Sequence, residues 1–162
     1  MEAHHLRKYK VFWADDDTED LELFRDVLVS LTPEYEIVEF ENGKEVLDNL
    51  HSMKEEEYPC LIILDMNMPV LSGRDTLVQL KKDPRFNAIP VVVFTTSSSA
   101  LDKLFCRQLN TDMLTKPPSY ESLKDVIQKM ITYCHPELKA GLQEPFYSIT
   151  TFNLSELGQT LK

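Results

Sequence analysis

The sequence predicts an α/β protein, a five-stranded parallel sheet doubly wound with helices on both faces. Strand-like and helix-like segments alternate along the chain, the signature of successive β/α units. Short apolar runs stop abruptly on polar residues: Val11-Phe12-Trp13-Ala14 on Asp15-Asp16, Leu61-Ile62-Ile63-Leu64 on Asp65, Val91-Val92-Val93-Phe94 on Thr95-Thr96, and Met113-Leu114-Thr115 on Lys116-Pro117. Runs of this length without alternation suit strands covered on both faces, as parallel strands are. Size agrees: 162 residues suffice for one domain with a full core and some excess.

The first strand, at about 10–14, feeds a helix at about 18–31, where Leu21, Phe24, Val27, Leu28 and Leu31 form one apolar stripe. Pro33 stops that helix. Tyr35 to Phe40 alternates and reads as the second strand; Asn42-Gly43 turns the chain into a helix lined by Val46, Leu47, Leu50 and Met53. Cys60 to Leu64 is the third strand. Ser72 caps a helix carrying Leu77, Val78 and Leu80 that Pro84 ends, and Pro90 opens the fourth strand. Ser98 or Ser99 caps a fourth helix marked by Leu101, Leu104, Phe105 and Leu109, and Asn110 supplies its left-handed C-terminal turn. Met113 to Thr115 is the fifth strand. Ser119 caps the last helix, through Leu123, Val126, Ile127, Met130 and Ile131. Right-handed crossovers then favour a flavodoxin-like strand order 2-1-3-4-5. Residues 8–134 form the domain. Residues 135–162 read as a tail, yet Phe146, Ile149, Phe152, Leu154 and Leu157 are many apolar groups for a solvated extension, so a docked tail is expected as readily as a partly ordered one.

The net charge of −10 argues against direct nucleic-acid binding, which needs clustered Lys and Arg. No apolar run approaches the ~20 residues of a membrane span. Met1 to Lys10 is polar and gives no sign of export. Cys60, Cys106 and Cys134 are odd in number, far apart and lack a Cys-x-x-Cys pair, which predicts reduced thiols in a cytoplasmic protein and no structural zinc.

In an open parallel sheet, ligands bind beyond the carboxyl ends of the strands. That places Asp15, Asp16, Asp65, Thr95 and Lys116 together at one edge. Three clustered carboxylates repel one another unless a cation neutralises them, and hard oxygen ligands suit Mg²⁺. With the Lys116 charge and the Thr95 hydroxyl, the set could hold a phosphoryl group during transfer to a carboxylate. Asp65 is the expected acceptor, because it ends the central strand. Asp15-x-Asp17-x-Glu19 fails as a calcium loop, lacking the Gly and the final Glu. Asp17 and Asp20 read as solvent-facing residues at a helix start, and Trp13 as a core residue adjoining the acidic pair.

These residues, in this order, resemble the receiver domain of two-component response regulators over roughly residues 8–134. The resemblance implies that Asp15 and Asp16 are the acidic metal-binding pair. Asp65, in Leu-Asp-Met-Asn-Met-Pro, is then the phosphorylated aspartate, and Asn67 the residue whose backbone carbonyl binds the metal. Thr95 is the switch hydroxyl and Lys116 the partner of the phosphoryl group. It also implies a cis Lys116–Pro117 bond. Asp83-Pro84-Arg85-Phe86 with Ile89-Pro90 resembles the single-domain branch of the family. Met113 stands where the family usually has an aromatic, Thr96 where a small residue is common, and Leu109-Asn110-Thr111-Asp112 lacks the customary Gly. A phosphatase of the haloacid dehalogenase type would need a carboxylate where Asn67 stands.

The resulting expectation is a stand-alone, CheY-like phosphoprotein that binds Mg²⁺. It takes its phosphoryl group from a histidine kinase or phosphotransfer protein and signals to an unidentified downstream protein, with homodimerisation left open. It is not an enzyme beyond self-phosphorylation and autodephosphorylation. The alternative is a receiver fold used as a phosphorylation-independent interaction module.

Overall fold

The protein is described here from a computed structural model covering residues 9–31 and 34–135. The expectations for Pro33 and for a docked tail at 137–162 fall outside those residues. The chain runs β1 (Tyr9–Ala14), α1 (Thr18–Leu31), β2 (Tyr35–Phe40), α2 (Gly43–Ser52), β3 (Leu61–Leu64), α3 (Gly73–Lys82), β4 (Val91–Thr95), α4 (Ala100–Gln108), β5 (Asp112–Thr115) and α5 (Tyr120–Ile131). Short 3-10 turns follow at Glu55–Glu57 and Thr132–Cys134. The strands form one parallel sheet in the order β2-β1-β3-β4-β5, the predicted topology.

Alternation along the strands divides the core in two. Val11, Trp13, Leu61, Ile63, Val92 and Phe94 face α1 and α5, meeting Phe24, Leu28, Leu123 and Ile127. Phe12, Ala14, Ile62, Leu64, Val91 and Val93 face the other helices, meeting Val46, Leu50, Leu77 and Leu80. All four residues of β3 are buried, which explains its unbroken apolar run; β5, at the sheet edge, is only partly covered.

The caps follow the sequence. Ser72, Ser99 and Ser119 accept from the backbone N–H groups of Asp75, Asp102 and Ser122, and Asn42 caps α2 by accepting from Glu45. Each such bond satisfies a helix-end donor and is worth about 1 kcal/mol. Asn110 takes the left-handed conformation (φ 51°), ending α4 as expected.

The α4 helix forms as expected; Leu101 and Leu104 are exposed, and Cys106 is its buried residue. Two expectations are corrected. The thiols are not all reduced: Cys60 and Cys134 form a disulfide, with Cα atoms 4.7 Å apart. Cys60 precedes β3 and donates its backbone N–H to Lys10 at 2.9 Å; Cys134 follows α5. The return of α5 brings both to the amino edge of the sheet, a proximity that 74 residues of separation conceal. Hydrogen bonding of the Tyr133 hydroxyl to Asp112 and of Tyr35 to His135 ties down the same corner. Burial, helped by the nearby Asp102 charge, pushes the remaining thiol, Cys106, up to about 11. The Lys116–Pro117 bond implied to be cis is trans.

Glycine is required where α3 starts. A Cβ on Gly73 would lie 1.9 Å from the Asp65 carbonyl oxygen, and the Gly73 N–H donates to the Met66 carbonyl at 3.0 Å. The first turn of α3 therefore rests directly on the backbone of the residue that ends the central run.

In denaturant without reductant, a maleimide should label one thiol per chain, and three after reduction. Three labelled thiols before reduction would disprove the disulfide. Closing a loop of this length is worth roughly 4 kcal/mol in chain-entropy terms, so reduction should also lower the melting temperature. Gly73→Ala should lose about 1–3 kcal/mol through overpacking, as read by urea unfolding; an unchanged midpoint would show that the contact with Asp65 yields freely.

Candidate functional site

The sheet ladder fixes the site's backbone one residue beyond each strand. Asp15 donates its N–H to Phe40 at 3.0 Å, Asp65 to Ala14 at 2.9 Å, and Lys116 to Thr95 at 2.8 Å. Ala14 pairs with Leu64 and Thr95 with Thr115, so the ends of β1, β3, β4 and β5 fall at one edge.

Asp15, Asp16 and Asp65 each offer a carboxylate oxygen, all within 4.8 Å of one another. Asp15 is fully buried, Asp65 half-buried and Asp16 exposed. The Lys116 ammonium lies among them, 2.6 Å from Asp15 and 3.3 Å from Asp65. Burial pushes the Asp15 carboxyl up to about 6, against the opposing pull of Lys116 and of the Asp17 backbone N–H. For Lys116, burial works downward, but the hydrogen bonds to Asp15 and Asp20 outweigh it and hold its pKa above the ordinary value. Phe24 underlies the ammonium at 5.7 Å from its ring centre, and Trp13 stacks on Phe24 at 4.6 Å. The expectation that Trp13 is core holds, and its ring reaches the site through Phe24.

Asp20 is the residue that sequence reasoning missed. Rather than facing solvent alone, it accepts from Lys116 at 2.9 Å. A signal existed: Asp20 stands four residues before Phe24, and that spacing puts both on one face of α1. Asp17 caps α1, accepting from Glu19 and Asp20.

Thr95 is buried at the end of β4, and its hydroxyl oxygen accepts from the Ser97 N–H at 3.2 Å. Ser97 in turn donates to Asp102 at 2.8 Å. Asp102 meets Arg74 at 3.3 Å, and the Arg74 guanidinium stacks on Phe105 at 4.0 Å. Asn67 is exposed in the loop after β3, Thr96 is exposed after β4, and Met113 is partly buried opposite Val93.

Three carboxylates, those of Asp15, Asp20 and Asp65, thus share one ammonium, and a fourth, that of Asp16, lies close to Asp15 and Asp65. The surplus negative charge and the oxygen-only donor set fit a hard divalent cation such as Mg²⁺.

The family model described as the response regulator receiver domain matches residues 11–128. Among curated relatives, the response regulator Rcp1 of Synechocystis sp. is 31% identical over 122 residues, covering 73% of this chain and 83% of that protein. The "probable methanogenesis regulatory protein FilR2" of Methanothrix harundinacea is 36% identical over 57% of this chain; the aligned part spans 61% of its length. Among solved structures, the phosphorylated cyanobacterial phytochrome response regulator RcpA superposes with a TM-score of 0.70 at 29% identity, covering 78% of this chain and 93% of that one. The Mn²⁺-bound form of Rcp1 gives 0.68 at 30%, covering 76% and 92%. Strand order, the acidic edge and these matches lead to one conclusion: the chain belongs to the response regulator receiver domain family.

Proposed function

We propose that this receiver is a phospho-acceptor switch in which Asp65 takes a phosphoryl group from a histidine kinase or a phosphotransfer protein. The observation that carries the reading is the meeting of Asp15, Asp16 and Asp65 with Lys116 at the carboxyl edge of the sheet. Asp65 ends the central strand, its backbone fixed by Ala14 and Gly73. One Asp65 oxygen attacks phosphorus, the bond from phosphorus to the donor breaks, and an acyl phosphate forms. Lys116 and the Thr95 hydroxyl supply a cation and a donor for the phosphoryl oxygens. Asp15, Asp16, Asp65 and the Asn67 carbonyl would hold Mg²⁺, which supplies charge neutralisation between carboxylate and phosphoryl oxygens. Output is a contact with a downstream protein, not with nucleic acid. A cytoplasmic location follows from the kinase as donor rather than from the cysteines, two of which are paired.

Rcp1 and RcpA supply support by likeness: the first has been solved with Mn²⁺ and the second phosphorylated. A phosphorylation-independent module would have no use for an acidic edge that concentrates this much uncompensated charge.

With acetyl phosphate and Mg²⁺, the protein should gain one base-labile phosphoryl group by intact mass, and Asp65→Asn should gain none. Equal labelling of the variant would move the acceptor elsewhere. By calorimetry, Asp16→Ala should weaken Mg²⁺ binding at least about tenfold, the equivalent of ~1.4 kcal/mol; an unchanged affinity would remove Asp16 from the ligand set.

A further inference from the structure

Lys116 divides its ammonium unevenly. It has three N–H donors and three carboxylate partners: Asp15 at 2.6 Å, Asp20 at 2.9 Å and Asp65 at 3.3 Å. The two shorter bonds go to groups other than the proposed acceptor. We propose that Asp20 is a positioning residue for Lys116, holding its ammonium on the α1 side of the site until a phosphoryl group claims it. The inference rests on the phospho-acceptor reading above.

The burial of the three partners decides which bond gives way. The Asp15 side chain is 1% exposed and the Lys116 side chain 10%. Breaking their bond would strand a buried carboxylate without its cation. The Asp20 side chain is 33% exposed and can exchange the ammonium for water. Its backbone stays put, because its N–H is held by Asp17 in the first turn of α1. Phe24, on the same face of α1, supports the ammonium from below. One helix face thus sets where Lys116 rests, and Asp20 is the contact that can be released.

Asp20 also adds a negative charge beside the acceptor. That charge opposes an arriving anion and favours a divalent cation. Neutralising it should therefore move the two affinities in opposite directions, which no merely structural role would do: a distorted site would lose both.

The test uses the full chain with Asp20→Asn, Asp20→Glu and Asp20→Ser. Calorimetry measures Mg²⁺ alone, and then beryllofluoride at saturating Mg²⁺. Asp20→Asn should bind beryllofluoride about two- to fivefold more tightly and Mg²⁺ alone about two- to fivefold more weakly, the range expected for one partly exposed charge. Labelling by acetyl phosphate should quicken in parallel. Asp20→Glu should return both affinities toward those of the parent. Asp20→Ser, which removes the charge but keeps a residue suited to a helix start, should repeat the Asn result if Asn disturbs folding. Both affinities unchanged, or both weakened, would overturn the assignment while leaving Asp65 as acceptor. A parent protein that takes no phosphoryl group and binds no beryllofluoride would overturn the functional reading, and this inference with it.

Discussion

The Lys116 ammonium is the interaction on which the carboxyl edge of this molecule depends. It joins the end of the edge strand β5 to the loop after β1, to the first turn of α1 and to the end of the central strand β3. A carboxylate as buried as Asp15 would be untenable alone, since an uncompensated buried charge costs several kcal/mol. With Lys116 in place, Asp15 becomes a fixed anion around which the backbone can be built. The stagger of the strands, the glycine under Asp65 and the aromatic floor of Phe24 and Trp13 all serve that placement.

Most of the architecture was legible because local signals agreed with one another. Ser72, Ser99 and Ser119 cap helices because a hydroxyl before an apolar stripe has an orphan N–H to satisfy. The runs ending at Ala14, Leu64 and Phe94 are strands because a parallel sheet hides both faces. The meeting of Asp15, Asp16, Asp65 and Lys116 was legible for the same reason: strand ends converge whatever the spacing between them in sequence. What escaped were contacts decided by side-chain direction or by the return of a late element. Asp20 looked solvent-facing because an acidic residue in a first turn is already accounted for by the helix dipole. The Cys60–Cys134 pair was hidden because nothing local marks the point where α5 comes back to the start of β3. The spacing that marked α4 left its burial open, because periodicity says which residues share a face, not whether a neighbour covers it; Leu101 and Leu104 face solvent.

The departures from the family pattern, at Thr96, at Met113 and in residues 109–112, fall just after β4 and in and just before β5. Met113 pairs with Val93 at the sheet edge, a flexible thioether in place of a stiff ring. In the same region Thr95, Ser97, Asp102 and Arg74 form a continuous run of hydrogen bonds from the end of β4 to α4 and α3, closed by the stacking of Arg74 on Phe105. Contiguity of this kind is not itself evidence of coupling. It does mean that a displacement of Thr95 cannot occur without exchanging at least the bond it accepts from Ser97.

The Cys60–Cys134 bond divides the residues of the site into two topological classes. Asp65, Thr95 and Lys116 lie inside the covalent ring that it closes, whereas Asp15, Asp16 and Asp20 lie outside it. A single nick in the backbone between the two cysteines would leave Asp65, Thr95 and Lys116 covalently connected through the disulfide. Across the site, Asp15 is joined to that ring by the ladder between β1 and β3 and by the Lys116 ammonium. Residues 15–20 reach that ring covalently only through the backbone of residues 21–59, so their place at the site is set by reversible contacts, while Asp65, Thr95 and Lys116 are tied into a covalent ring.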